Sequence, residues 1–430
     1  MTPSTQFAPA RRVRARRGVR ALAVLWLLST VACGDTVDRL LSAETPSRLP
    51  EAGFLVPENA QLIVNSAVAD FECAWGAYVV TSGMASGELF DASQTATRWN
   101  YDRRNVASVD AHYSTFNCQN IGIYTPASTA RYTTDQAVKQ LDEWTDEQVP
   151  NRQRLLARAA VYAGYSYIVL AEGFCEAAVD LGPKLTSANL LDSAEARFTR
   201  AIAAATAPAD SLLLRAAYVG RARARIGKGD AAGAAADVSV QHVPTTFTLL
   251  TTADNNSGRR NNRVYAQNNA STSGVTVAPA YRNLTVGGVP DTRVSLTNAN
   301  RKAGDQVNDL WTQNKYTSLT AGIPFSSGVE ARLIQAEALG AAQGVPILNA
   351  LRQFRGLPTL SAAEQASFAA TLWEERRREL FLQGTRWFDV RRGNLALVPA
   401  TGAAYPKAGT YGDQRCWPLP DVEVAANPNI

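Results

Sequence analysis

A mainly α-helical protein of stacked, tetratricopeptide-like hairpins, with an irregular and partly β insertion and an extended C-terminal strap, follows from three features of the 430-residue chain. Apolar residues recur at helical spacing in long blocks on both sides of a polar middle. Paired alanine-rich blocks are joined by short glycine turns, the mark of helical hairpins that bury their faces only by stacking. From His242 to Ser327 the composition changes to Thr, Asn, Ser and Gly with scattered aromatics. With 46% hydrophobic residues, the chain can bury a substantial core.

The first segment, 1–32, reads as a secretion signal. Arg11, Arg12, Arg14, Arg16, Arg17 and Arg20 precede an apolar run from Ala21 to Ala32 that is too short to span a bilayer. Cys33 follows, with Ser29, Thr30 and Ala32 before it and Gly34 after it, which resembles a lipoprotein processing site that leaves Cys33 as an acylated N-terminus. Thr30 departs from the leucine usual at that position, and ordinary signal cleavage is the alternative. No other stretch reaches the ~18 apolar residues of a membrane helix, so Cys33 would be the membrane anchor. The formal net charge of +5 is owed to those six arginines, and the near-neutral remainder has no electrostatic footprint for nucleic acid.

A polar tether, 33–57, is broken by Pro46, Pro50 and Pro57. The helical region 58–240 opens with a helix from Asn59 to Val80, then a surface loop from Gly83 to Asn105. Helices follow over Asp135 to Trp144 and Asn151 to Phe174, the second apolar nearly all round and therefore buried on several sides. Three more span Ala194 to Ala205, Ser211 to Ile226 and Gly229 to Val238, with small residues such as Ala217, Gly220 and Ala224 allowing close helix approach. The turn Gly227, Lys228, Gly229 fits no phosphate-loop pattern and follows no strand.

The insertion, 241–326, is expected to hold short strands at Val275 to Val277 and Arg293 to Leu296 and no helix. Asp254, Asn256 and Gly258 imitate a calcium loop, but the glycine comes one place early and Tyr265 stands where the closing Glu belongs. In the last region, 327–430, a helix from Gly328 to Leu339 pairs with Pro346 to Phe354 across Gly344. A further amphipathic helix from Leu372, with Glu374 and Arg378 in favourable i,i+4 order, ends at Gly384. Pro418 and Pro420 make the tail from Arg415 to Ile430 an extended strap.

Charge is densest between Leu372 and Arg392. Arg376 sits within an apolar stripe, where a guanidinium needs a carboxylate, and Asp389 beyond the turn can supply it. The cluster reads as a charged clamp between helices, with an anion or substrate site as the alternative. Cys73, Cys118, Cys175 and Cys416 permit two disulfides in any of three connectivities in an exported protein, or buried free thiols. With no CxxC and only His112 and His242 as nitrogen ligands, no metal site is expected, and no motif calls for a cofactor. HExxH and GxSxG are absent too.

The run ERRREL (Glu375, Arg376 and Glu379 within it), followed by Gly384, Arg386, Trp387, Phe388, Asp389 and Arg391, resembles the C-terminal signature of the SusD/RagB-like nutrient-binding lipoproteins. Gln383 replaces the usual Glu. Glu337 in ARLIQAEAL, the RQFRGLP end at Arg352 to Pro358, the Asp291, Thr292, Arg293 triplet and the WPLPDVEVAANPNI tail are similar as well. The resemblance implies a non-enzymatic outer-membrane lipoprotein on a tetratricopeptide-like scaffold. It would capture oligosaccharides or similar nutrients at the cell surface for a TonB-dependent, SusC-like transporter. The rivals are a protein–protein adaptor and a two-carboxylate surface glycosidase.

Sugars need flat aromatic platforms beside amide or guanidinium partners. Two stretches offer them: Arg98, Trp99, Asn100 and Tyr101 in the first loop, and Tyr265, Tyr281, Trp311 and Tyr316 in the insertion. Trp99 and Trp311, in polar surroundings and off any apolar stripe, are the expected platforms.

Overall fold

Fourteen helices are present in a computed structural model that describes residues 54–430, so the signal segment, Cys33 and most of the tether lie outside it. They are α1 (Ala60–Ala85), α2 (Trp99–Arg103), α3 (Ala111–Ser114), α4 (Tyr124–Glu143), α5 (Arg152–Gly173), α6 (Ser187–Ala204) and α7 (Ser211–Gly227). In chain order follow α8 (Ala231–Asp237), α9 (Arg263–Asn268), α10 (Gly328–Phe354), α11 (Ala362–Ala366), α12 (Phe368–Glu379), α13 (Arg386–Arg392) and α14 (Asp421–Ala426). The predicted mainly helical, tetratricopeptide-like architecture is the one observed: α4 to α8 pack each on the next, α8 passes the stack to α10, and α10 to α12. Helix α1 lies across α4 and α5.

Helix α5 is the axis of the stack, and its sequence explains why. Leu155, Leu156, Val161, Tyr165, Ile168, Val169 and Leu170 are buried on every side, so no face remains for water. Phe71 and Trp75 of α1 meet Tyr162 and Tyr165 of α5 and Phe325 in one aromatic centre, with Phe71 5.2 Å from Tyr162 and Tyr165 5.1 Å from Phe325. Close approach in the hairpins works through an inserted ring. Phe198 of α6 presses on Gly164 of α5 and Gly220 of α7, and a Cβ at Gly164 would stand 2.6 Å from that ring. Glu172, near the end of α5, is held by Arg223 of α7 in a two-bond pair at 2.7 and 2.5 Å, a buried charge made tolerable by its partner.

Several local expectations are corrected. The stretch after α1 is not a surface loop: Leu89–Asp91 pairs antiparallel with Val275–Val277, and Glu88, Asp91, Tyr101 and Asp102 are buried. The insertion does contain a helix, α9, which Asn262 caps by accepting from Tyr265 N–H. Its other strands form two-stranded ribbons, among them Leu296–Lys302 with Asp309–Gln313, while Thr292–Val294 is a 3₁₀ turn instead of strand. Val275–Val277 is a strand as expected. Helix α10 bends at Gly340, where φ is 70°, and not at Gly344, whose bare backbone faces the Phe368 ring. The tail is extended to Pro420 and then forms α14, since a proline can precede a helix without losing a needed N–H.

Helix α12 ends at Glu379, five residues before Gly384, because side chains from elsewhere take the backbone groups of the next turn. Glu88 accepts from Leu382 N–H at 2.9 Å, Lys315 donates to the Phe381 carbonyl at 2.7 Å and Tyr316 to the Leu382 carbonyl at 2.9 Å. Gly384 does adopt the left-handed conformation, at φ 72°, with a Cβ there destined for the rings of Trp75 and Tyr78. Disulfides join Cys73 to Cys118 and Cys175 to Cys416. The second ties the tail to the end of α5, where Trp417 N–H donates to the Gly173 carbonyl and Cys175 N–H to that of Trp417.

Candidate ligand-binding face

The eight residues singled out for ligand binding divide by burial. Tyr101, Tyr281 and Tyr316 are core residues, a correction to their expected role as platforms: Tyr101 donates to the Ile121 carbonyl, Tyr316 to that of Leu382, and Tyr281 stacks on Phe381 at 5.0 Å. Each ring fastens an irregular segment to the helical body. Arg98, Trp99, Asn100, Tyr265 and Trp311 remain part-exposed. Asn100 is committed to Asp110 Oδ2 at 2.7 Å, and Tyr265 lies on α9.

The segments of Trp99 and Trp311 are both anchored on the Val275–Val277 strand. On one side Leu89–Asp91 pairs with that strand and leads into the turn carrying Arg98 and Trp99, and Arg98 Nη2 donates to the Gly274 carbonyl at 3.4 Å. The Thr276 hydroxyl accepts from Trp311 N–H at 2.8 Å and donates to the Asp309 carbonyl, while Asn268 donates to the carbonyls of Val275 and Trp311. Gly274 leaves room where a Cβ would stand 2.9 Å from Gln267 Oε1 and 3.4 Å from Arg98 Nη1, so an amide and a guanidinium converge between the two tryptophan segments.

Both indoles are fixed by neighbours. Trp99 Nε1 donates to the Ser93 carbonyl at 3.1 Å, and the Lys407 ammonium stands 5.0 Å from the ring centroid. Lys407 in turn donates to Asp91 Oδ1 at 2.9 Å, which joins the C-terminal region to this loop. Arg282 lies 5.1 Å from the Trp311 ring, its guanidinium held by two bonds to the Val277 carbonyl. A cation over the face of a ring holds it in one orientation and covers that face. Gln267, Arg282 and Lys407 escaped the sequence reading: Gln267 lies on a helix that composition concealed, and Lys407 is more than 300 residues from the ring it meets.

The arginine-rich C-terminal stretch is bonded as a clamp. Arg376 makes a two-bond pair with Asp389 at 3.0 and 2.9 Å, and Arg392 bonds both Asp389 and Glu337. Arg293, fully buried, bonds Asp291 twice at 2.8 Å and Glu375 at 2.6 Å. Glu375 also takes Arg352, and Glu379 takes Arg355. Arg391 caps the end of α5 through the carbonyls of Ala171 and Phe174, where the helix dipole favours a cation. Only Arg386 among the arginines between Arg352 and Arg392 makes no such bond with the described residues.

The described residues include no group of three or more His, Cys, Asp or Glu able to hold a metal, and no helix long and apolar enough to cross a membrane. His112 is buried against Tyr101 and Phe116, and burial lowers its pKa to about 4, so it is neutral. His242 stacks on Tyr218 at 4.2 Å. His112 contacts the Thr97 hydroxyl at 3.5 Å, next to Arg98.

Fold and face together describe a helical scaffold that displays an aromatic and amide-bearing surface. Residues 330–430 match the model of the SusD family, so the SusD/RagB-like resemblance read from the sequence is shown there. A SusD superfamily protein from Bacteroides vulgatus superposes with a TM-score of 0.64 at 15% identity, covering 87% of this chain and 97% of that one. A laminarin binding SusD-like protein gives 0.63 at 14% identity, covering 87% and 99%. Surface glycan-binding protein A from Bacteroides thetaiotaomicron gives 0.63 at 14% identity, covering 86% and 97%. At these identities the likeness is one of fold. No curated protein matches the chain.

Proposed function

We propose that this protein binds oligosaccharides or similar nutrients at the outer surface of the outer membrane and passes them to a TonB-dependent, SusC-like transporter, without catalysing a reaction. The observation that carries the reading is the anchoring of the Trp99 turn and the Trp311 strand on one strand, with Arg98 and Gln267 converging between them. A pyranose ring has apolar faces edged with hydroxyls, and this face offers indoles beside amide and guanidinium donors. The SusD-type fold supports the same reading, since one structure that shares it is a laminarin-binding protein and another a surface glycan-binding protein.

Attachment through an acylated Cys33, which lies outside the described residues, belongs to the same proposal. A glycan array with the purified protein tests the binding claim: retention of a glycan class supports it, and retention of none across neutral and acidic glycans opposes it. Reducing-sugar release from the same panel would identify a glycosidase instead. For the anchor, Cys33→Ala should move the protein out of the membrane fraction, and unchanged fractionation would contradict the anchor.

A further inference from the structure

We propose a second ligand site, separate from the glycan face, that takes a small molecule bearing a carboxylate on an apolar body in the cleft between Trp373, Tyr281 and Arg386. The cleft has a volume of about 390 Å³, within the usual range for a small-molecule pocket. Ala280, Ala370, Trp373, Leu395 and Val398 give it apolar walls; Glu374 and Arg377 also line it but are paired with each other, which leaves Arg386 as the cation with no partner among the described residues.

Arg386 is the reason for the carboxylate. It lines the cleft part-exposed, in a stretch where every other guanidinium is tied to a carboxylate or a carbonyl, yet it makes no hydrogen bond or ion pair with the described residues; its Nη1 is buried without a partner, so the rest of the guanidinium is what the cleft presents. The clamp carboxylates nearby are already committed. Glu374 accepts from Arg377 and Arg378 and Asp389 from Arg376 and Arg392, while Glu88 accepts from the Leu382 backbone through Oε1 and makes no bond to Arg386. Burial raises the Glu88 carboxyl to about 7 against the opposing charge of Arg386, so at neutral pH it is only a partial counter-charge. A planar guanidinium left in this state matches a carboxylate, which can take two parallel N–H bonds.

The walls decide the rest of the ligand. Arg377 lies 4.5 Å from the Tyr281 ring centroid and Arg392 4.7 Å from that of Trp373, so a cation holds each of the two aromatic side chains in place. Beside them Ala280, Ala370, Leu395, Ala396 and Val398 make the larger part of the cleft surface apolar. A sugar would bury hydroxyls there without partners, whereas an aromatic or aliphatic body would not.

Calorimetry of the full chain with phenylacetate, using phenylacetamide as its neutral isostere, tests the site. Phenylacetate should bind once per chain and the amide at least about tenfold more weakly, the scale of a charged hydrogen bond. Arg386→Gln should erase that preference while leaving the weak amide affinity unchanged. Ala370→Trp, which fills the cleft from an exposed position, should weaken both probes, and it decides the matter if Arg386→Gln does not fold. Trp99→Ala and Trp311→Ala should leave phenylacetate binding unchanged, so loss of the glycan face and loss of this cleft are told apart. Equal affinity for acid and amide, no saturable binding of phenylacetate, or unaltered binding in Ala370→Trp would each overturn the proposal.

Discussion

Replacing Asp389 by Asn removes the anion at the centre of the clamp while keeping its shape. Asp389 accepts four bonds, from Nε and Nη2 of Arg376 at 3.0 and 2.9 Å and from Nε and Nη2 of Arg392 at 3.2 and 2.9 Å, and is 2% exposed. Without its charge the two guanidinia share Glu337, which stands 3.7 Å from Arg376. Uncompensated buried charge costs about 3–5 kcal/mol, and the remaining Glu337 places the expected loss near the lower end, about 3 kcal/mol. Burial alone would raise the Asp389 carboxyl, but Arg376 and Arg392 draw it below its usual range. Its contribution is therefore present above an unfolded-state pKa of about 3.9 and is lost as pH falls through the lower folded value, so the gap to Asp389→Asn should close in acid. Guanidinium chloride unfolding at pH 7 and at pH 3 reads both effects. Unfolding that matches the parent at pH 7, or normal stability with abolished glycan binding, would refute the clamp.

Three further perturbations address other parts of the fold. Glu88→Gln keeps the bond to Leu382 N–H and removes a carboxyl that burial raises to about 7; the parent should lose about 3 kcal/mol relative to the variant as pH rises from about 4.5 through 7, and parallel pH–stability curves would contradict this. Gly164→Ala and Gly220→Ala each drive a Cβ into the Phe198 ring and should cost about 1–3 kcal/mol by thermal melting, with an unchanged melting temperature counting against the packing described. Replacing Cys175 and Cys416 by Ser opens a loop of sequence separation 241 and should lower stability by up to about 5 kcal/mol, more than the loss of Cys73–Cys118 with its separation of 45; the reverse order in denaturant titrations would speak against the loop-closure account.

What could be read from the sequence was local periodicity and short-range charge. The all-round apolar pattern of α5 predicted its burial, and the spacing of Glu374 and Arg378 predicted an ion pair now seen at 2.6 Å. Arg376 and Asp389, separated by one turn, were legible for the same reason. Long-range pairing was not. Leu89–Asp91 looks like loop because its partner strand lies nearly two hundred residues on, and that pairing buries Tyr101 along with the segment. Helix α12 stops early because Glu88, Lys315 and Tyr316, all distant in sequence, claim the backbone of the next turn. The proposed glycan face shows both cases: Trp99 and Trp311 stand out by polar context, while Gln267 and Lys407 reach it only through the fold. Arg386 was grouped with the clamp by its neighbours in sequence, and its missing partner is a fact of three dimensions.

The central claim, that Trp99 and Trp311 form the platform of a glycan-binding face, is tested most directly by calorimetry with a glycan taken from the array. Each of Trp99→Ala and Trp311→Ala should weaken binding by roughly 2 kcal/mol, about thirtyfold, with melting curves unchanged, the scale of a hot-spot aromatic. Unchanged affinity in both folded variants would place the site elsewhere and contradict the account.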